Sequence, residues 1–477
     1  MSTIYDVIVI GAGSGGLGMA LGMSQMNFKI LLIDRNEEAI GGECLNTGCI
    51  PSKALLHAAS QIQKAREASH YGLRLDGRVE MDKVRASIKA KQAKIKEKEN
   101  LHFLRDKGID VGLGNASFAS ENEVKVGETT YRGRKIVIAT GSSPRKIKIK
   151  GDEDIPIYTH EDVFDIPRVP ENFVFIGAGP VSMELAQAFS RLGSRVSVIV
   201  RGKGILKKED RSISHILQEK MEKEGISFFF ETEVGEIQNN KAILKSQTGT
   251  ETTIPVNALF LGIGRVLNFD SLNLEKAGVK TKEGKIILNE YLQSSNKNIY
   301  VSGDAAGNLK FSHAAEMHNM LLIKNFFLPK KKKLSFENFS WVTFTDPEIG
   351  TFGLNEDDIK SKNIKYERLD ISLEEADRAT TNDFRYGRLL LYVEKKMIYP
   401  GNAKILGGSM VAPNAGEIIQ ELILAKVAGV RLKTFLDKIY PYPTAANIHK
   451  ILIRNRVTEA IGPWIKRAMK IWFRRPW

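Results

Sequence analysis

The sequence predicts an α/β protein: two Rossmann-like dinucleotide-binding domains followed by a C-terminal α+β domain. Three observations carry the prediction. A short apolar, β-rich run, Tyr5-Asp-Val-Ile-Val-Ile10, leads straight into Gly11-Ala-Gly-Ser-Gly-Gly16. The same pattern returns at Asn172-Phe-Val-Phe-Ile176 followed by Gly177-Ala-Gly-Pro-Val-Ser182. From Phe339 the pattern turns strand-rich, and from about Ala415 helical.

In the first unit, Gly11, Gly13 and Gly16 let the backbone approach a pyrophosphate. The N-terminus of the following helix supplies N–H donors and a partial positive charge. A second apolar run, Lys29-Ile-Leu-Leu-Ile33, ends at Asp34, close to the roughly 20-residue offset at which an acid accepts from ribose hydroxyls. Strand, glycines, helix, second strand and terminal acid, in that order, predict nucleotide binding.

In the second unit, Gly177 and Gly179 take the corresponding places, with a helix expected over 183–192 and a strand over 195–200. Ser182 stands where Gly or Ala would let helix and strand pack most closely. Arg201 ends the second strand where the first copy has Asp34, and Lys203, Lys207 and Lys208 lie nearby. A cationic cluster suits a 2′-phosphate, so NADPH is expected in preference to NADH.

Between the two units, helices are expected over 52–69 and 81–107. The second is strongly basic, with Val84, Ile88 and Ile95 near helical spacing, and reads as an amphipathic surface helix. Pro-containing connections at 155–170 and 328–336 mark boundaries. At 477 residues the chain exceeds one ordinary core, and roughly 100 to 200 residues per domain suggests three. The expected domains are 1–150 with 268–335, then 151–267, then 336–460, with a tail at 461–477.

No stretch approaches the roughly 18 uncharged apolar residues of a spanning helix. The apolar segment from Ile4 to Leu21 is interrupted by Asp6 and carries the glycines of a strand-turn-helix, unlike a signal peptide. A soluble, cytoplasmic protein is expected. The net charge is +14, with basic clusters at 89–98, 330–333 and 466–475. No aromatic-basic recognition motif accompanies them, so nucleic acid is not expected as a partner. The charge suits anionic cofactors or an anionic membrane surface.

Only two cysteines occur, in Gly41-Gly-Glu-Cys-Leu-Asn-Thr-Gly-Cys-Ile-Pro-Ser-Lys53. In a cytoplasmic enzyme such a pair reads as catalytic or metal-binding. With two thiols and no neighbouring histidine, a closed zinc site is disfavoured, and no metal ligands are assigned. Cys44 and Cys49 are five positions apart, too far for a disulfide along an undistorted helix, so Gly48 must fold the backbone locally. Pro51 suits a first helical turn, and a helix starting near Cys49 stabilises a thiolate there.

The C-x4-C segment, with Ala139-Thr-Gly141, Gly262-Ile-Gly-Arg265, Tyr300-Val-Ser-Gly-Asp304 and Thr345-Asp-Pro-Glu-Ile-Gly350, resembles the pyridine nucleotide-disulfide oxidoreductases. That family includes glutathione reductase, dihydrolipoyl dehydrogenase and mercuric reductase, and the resemblance covers about residues 4–455. It implies an FAD-dependent enzyme that oxidises NADPH or NADH and passes electrons to a Cys44–Cys49 redox disulfide. Cys44 is then the interchange thiol that meets the acceptor and Cys49 the thiol against the flavin. Lys53 and Glu184 look like the ion pair near flavin N5, and Asp304 like the acid that binds the ribityl chain. The same resemblance extends FAD or nucleotide binding to Gly42, Thr140, Gly141, Gly264, Arg265 and Gly303. It also implies a C-terminal dimerisation domain and a homodimer, with Tyr442 reaching the partner subunit's flavin site.

Disulfide reductases of the family place a histidine, oriented by a glutamate five residues later, where this chain has Tyr442 and Asn447 within and after Tyr440-Pro-Tyr-Pro-Thr444. A tyrosine near its ordinary pKa of about 10 is a poor base at neutral pH. His449, seven positions beyond Tyr442, is a weak substitute. Tyrosine at this position resembles the mercuric reductases, as does Glu184-Leu-Ala-Gln-Ala-Phe-Ser-Arg-Leu-Gly193, but this sequence holds no second cysteine pair like their C-terminal one, and their N-terminal metal-binding domain is not expected. The acceptor is left as a metal ion, a quinone or another small oxidant. The competing readings are a dihydrolipoyl dehydrogenase or glutathione-type reductase with altered acid/base residues, and a membrane-associated flavin-binding partner protein with a vestigial redox site.

In the tail, Trp464, Ile465, Ala468, Met469, Trp472 and Phe473 recur at helical spacing among basic residues. Two readings stand open: a helix lying in a membrane interface, making the protein peripheral at the inner membrane surface, or an amphipathic terminal helix packed on its own protein.

Overall fold

Strand β1 (Ile4–Ile10) sends Ile8 and Ile10 to one buried face and Val7 and Val9 to the other, which is why it reads as a nearly continuous apolar run. The computed structural model describes residues 4–384, 386–396 and 399–474. After β1 come α1 (Ser14–Ser24), β2 (Ile30–Asp34), α2 (Gly42–Asn46), α3 (Cys49–Glu67), α4 (Met81–Lys96) and α5 (Leu101–Asp106). Strands β3 (Ile109–Leu113), β4 (Ala116–Ser120), β5 (Glu123–Val126) and β6 (Thr129–Ile138) complete this part of the sequence.

The sheet order is β3-β2-β1-β6-β5-β4, and Ile299–Val301 adds to β6 in parallel. In the parallel register Ile10 lies beside both Ile33 and Ile138. The carboxyl ends of three strands therefore share one edge, and Gly11, Asp34 and the Ala139-Thr-Gly141 segment meet there, as expected for a ligand crevice of a doubly wound sheet.

A second parallel set follows. Asn172–Ile176 pairs with the strand Arg195–Val200 on one side and with Ala258–Leu261 on the other. Helix α6 spans Pro180–Leu192, three residues longer at its start than the sequence suggested.

By their contacts the residues fall into two units. One runs through Gly177 and includes Ala188–Ile199 and Thr232–Ser335; the other holds Ala178–Gln187, Val200–Glu231 and the chain from Phe336 onward. The second unit is built on an antiparallel sheet in the order Ser340–Thr343, Glu348–Gly353, Ile405–Ala412, Arg388–Glu394, Tyr366–Ser372. Leu389, Leu391 and Met410 from this sheet join Ile419, Leu422, Ile448 and Leu452 from the helices in one core.

Two expectations are corrected. The helix expected over 81–107 is broken, because Asn100 accepts a hydrogen bond from Phe103 N (2.9 Å) and caps α5 as a new start. The tail forms a helix, Pro463–Phe473, that buries none of its residues within the single chain, so it is not packed into the core of its own chain. Arg475, counted in that basic cluster, lies outside the described residues. No helix among the described residues is long and apolar enough to cross a membrane.

Candidate dithiol and nucleotide-binding site

Gly11 follows β1, Gly13 is the N-cap of α1, and Gly16 lies buried in its first turn. Asp34, at the end of β2, accepts from Ala12 N (2.6 Å) and Arg35 N (2.7 Å) and so pins the turn between strand and helix. Gly42 closes this turn from the other side. Its φ is +59° and an added Cβ would lie 2.4 Å from Gly13 Cα, so two backbones touch where only glycine fits.

The two cysteines are brought together by a helix break. Cys44 sits on α2, and Cys49 is the first residue of α3, a helix of 19 residues. Gly48 makes the turn; a Cβ there would come within 2.8 Å of Glu43 O. Both cysteines are half-buried thiols within hydrogen-bonding reach of one another. The hydrogen bond with Cys49 and burial push the Cys44 thiol well above its ordinary range, against smaller opposing effects of Ser312 and Ser14. Ser312 Oγ also lies 3.5 Å from Cys49 Sγ.

Helix α4 does more than cover the surface. Gln92 donates to Leu45 O (2.9 Å) and Asn46 O (2.8 Å), holding α2 from the side. Between α3 and α4 lies a cavity of about 370 Å³ lined by Ile50, Lys53, Ala54, His57, Lys91, Lys94 and Ile95.

A polar cluster on the other flank escaped the sequence reading. Arg265 donates Nη1–H to Glu43 Oε1 (2.8 Å) and Nη2–H to Glu43 Oε2. Its Nε–H goes to Ser142 Oγ (2.6 Å), which donates onward to Asp304 Oδ2 (2.5 Å). His160 Nε2 lies 2.9 Å from Arg265 Nη1 and 3.1 Å from Glu43 Oε1. Burial pushes Glu43 up, but hydrogen bonds and charge from His160 and Arg265 outweigh it and hold the carboxyl below its usual range. Burial raises Asp304, with Ser142 and Arg265 opposing.

Gly264 precedes Arg265, and Gly303 precedes Asp304. Gly303 N donates to His318 Nδ1 (3.1 Å), and burial lowers His318 to about 4. Thr140 and Gly141 follow β6, and Thr140 Oγ1 is buried with no hydrogen-bond partner among the described residues. An unsatisfied hydroxyl beside Gly141, at the strand edge that Gly11 and Asp34 share, fits a polar dinucleotide such as FAD.

Gly177 ends its strand in the same unit, and a Cβ on it would lie 2.5 Å from Gly262 O. Gly179, Glu184, Arg201 and Tyr442 belong to the second unit. Glu184 is buried and accepts from Phe344 N (2.9 Å). Arg201 is exposed, as are Lys203, Lys207 and Lys208. Tyr442 is 76% exposed and donates to Asp377 Oδ2 (2.9 Å); that hydrogen bond raises its pKa and makes it a still poorer base. His449 is buried, with Nδ1 3.7 Å from Glu421 Oε2.

Comparison with known proteins identifies the family. The sequence profile of the pyridine nucleotide-disulphide oxidoreductases matches residues 5–318, and that of their dimerisation domain matches residues 339–451. A mercuric reductase of Staphylococcus aureus is 28% identical over 447 residues, 93% of this chain and 80% of that protein. A dihydrolipoyl dehydrogenase of Buchnera aphidicola subsp. Acyrthosiphon pisum is 31% identical over 449 residues, 92% of this chain and 93% of that one. Among solved structures, the HOCl-induced flavoprotein disulfide reductase RclA from Escherichia coli, as a Cu(II) complex, superposes with a TM-score of 0.81 at 23% identity, covering 95% of this chain and 99% of that one. LpdA of Mycobacterium tuberculosis gives 0.83 at 21%, covering 94% and 99%. The chain belongs to the pyridine nucleotide-disulphide oxidoreductases, homodimeric enzymes that use FAD and NAD(P)H.

Proposed function

We propose that this enzyme oxidises NADPH and delivers the two electrons, by way of a Cys44–Cys49 disulfide, to a small acceptor: a metal ion, a quinone or another small oxidant, in the manner of a mercuric reductase. The observation that carries this reading is the pair of adjoining thiols, one on α2 and one at the first position of α3. Bound FAD supplies the two-electron chemistry that links a nicotinamide to a dithiol.

The chain's own residues divide the work. Gly11, Gly13, Gly16, Asp34, Gly42, Thr140, Gly141, Gly303 and Asp304 hold the FAD, in a domain formed by 1–150 and 268–335. Gly177, Gly179, Arg201, Gly264 and Arg265 serve the NADPH, in a domain at 151–267, with Arg201 on the 2′-phosphate. Cys49 carries the thiolate, because the N-terminus of a long helix favours an anion. Cys44, with its raised pKa, keeps its proton until it meets the acceptor. Lys53 and Glu184 serve the hydride-transfer step, and Tyr442 reaches the site of the partner subunit, beside the acceptor. Overall, NADPH and one proton reduce the disulfide to two thiols; the acceptor then takes two electrons and the S–S bond forms again. We further propose a cytoplasmic location with peripheral membrane contact through 461–477.

The test is a thiol count. The chain holds only two cysteines, so anaerobic NADPH should raise the titratable thiols from none to two per chain. NADPH oxidation with no new thiols would sink the relay.

A further inference from the structure

We propose that the helix Pro463–Phe473 docks the protein on an anionic phospholipid surface. The inference rests on and deepens the peripheral contact proposed above for 461–477, and it stands apart from the dithiol chemistry.

At about 100° per residue, Ile471, Trp464, Ala468, Trp472, Ile465 and Met469 fall within one arc of about 160°. Lys466, Lys470, Arg467 and Arg474 fill an arc of about 100° on the opposite side, and Phe473 stands at the border. Sequence patterning of this kind usually marks a helix that buries its apolar stripe in its own core. This one does not: Trp464 is 75% exposed, Trp472 72% and Phe473 88%, and no residue of the helix is buried. So much aromatic surface on one short helix calls for a covering medium.

Charge chooses the medium. From Ala460 to the last residue there is no Asp or Glu, so the cationic arc meets no internal counter-charge within its own segment. The two tryptophans sit two turns apart on the apolar arc, and their indoles, apolar with one N–H, suit the depth of lipid headgroups. Lysine and arginine stems run along the apolar body while their heads reach outward to phosphate. The net charge of +14 draws the protein toward an anionic surface from a distance and orients the encounter.

The experiment uses the full-length FAD-loaded enzyme and vesicles of phosphatidylcholine, alone or mixed with phosphatidylglycerol. The enzyme should sediment with the mixed vesicles, stay in solution with phosphatidylcholine alone, and be released by salt as the charges are screened. Lys466→Glu with Lys470→Glu should lower the partition coefficient by at least about twenty-fivefold, at roughly fivefold per cation removed. Trp464→Ala with Trp472→Ala should weaken binding while keeping its salt dependence. Deleting 463–477 should abolish sedimentation and leave NADPH oxidation unchanged, which also reports that the variants fold. Equal sedimentation by the Lys466→Glu/Lys470→Glu variant would overturn the proposal. So would a full chain that ignores the vesicles while its truncation turns dimer into monomer, since the helix would then cover a second copy.

Discussion

Arg265 grips both carboxylate oxygens of Glu43, the residue that directly precedes Cys44, across 222 positions of sequence. The guanidinium thereby ties the cysteine-bearing α2 to Ser142 and, through it, to Asp304. Bidentate pairing of this kind fixes geometry as well as charge. Arg265→Met leaves Glu43 and Ser142 without their donor, and should lower unfolding stability on the order of 2 kcal/mol. Glu43→Gln keeps the shape and gives up the charge, and should lower it by about 1 kcal/mol. Denaturant titrations of the two variants check the order. Equal effects would mean that the pair does not act as a charged fork.

Cys44→Ser and Cys49→Ser should each reduce acceptor turnover by about a thousandfold, roughly 4 kcal/mol of barrier. Yet each should still oxidise one equivalent of NADPH in a single anaerobic mixing experiment, because the thiols act after that step. A variant that turns over normally would assign electron transfer to a route without the dithiol.

What was legible in the sequence was local. The apolar run of β1, the glycines after it and the Cys44–Cys49 spacing all constrain the backbone within a dozen residues, so their structural consequences could be read directly. The joining of Arg265, His160 and Glu43 was not legible, because they come from three distant segments: Arg265 was expected only to bind nucleotide, Glu43 carried no role beside Cys44, and nothing marked His160. The break at Asn100 was hidden by the helix-forming Lys, Glu and Ala residues around it, whose helical spacing continues through Ile95. The two readings of the tail share one amphipathic pattern, and the sequence alone does not show that Trp464 and Phe473 stay exposed within the chain.

Tyr442 gives its hydroxyl hydrogen to Asp377, which raises its pKa and removes it from base catalysis at neutral pH. Oxidised glutathione and lipoamide should therefore be turned over barely above background. The double change Tyr442→His with Asn447→Glu restores an imidazole and its carboxylate at the spacing used by the family's disulfide reductases. Placing a competent acid/base pair should raise disulfide turnover by about a hundredfold. Brisk wild-type activity on either disulfide would favour the dihydrolipoyl dehydrogenase or glutathione-type reading instead.

Arg201 is exposed at the end of its strand, with three exposed lysines within the next seven residues. A charge-assisted hydrogen bond to a 2′-phosphate contributes about 1.5 to 3 kcal/mol. Arg201→Ala should accordingly raise KM for NADPH by roughly ten- to a hundredfold and leave NADH nearly unaffected. Steady-state kinetics with both nucleotides would show it, and a parallel loss with NADH would place the residue on the shared part of the cofactor.

His318 gives the clearest dependence on pH. It is fully buried, its Nδ1 accepts from Gly303 N, and burial holds its pKa at about 4, against about 6.5 for an exposed histidine. Because the folded pKa lies below the unfolded one, the unfolded chain binds the proton first as the solution is acidified. The stability held by the neutral ring is complete above about pH 6.5 and declines as pH falls toward 4, by on the order of 3 kcal/mol in all. His318→Asn keeps an acceptor for Gly303 and removes the titration, so it should flatten this part of the stability profile while leaving the neutral value within about 1 kcal/mol. Denaturant midpoints measured from pH 7 to pH 4 on both proteins decide the matter. Parallel profiles would show that the acid sensitivity comes from carboxylates such as Glu43 and not from the imidazole beneath Gly303.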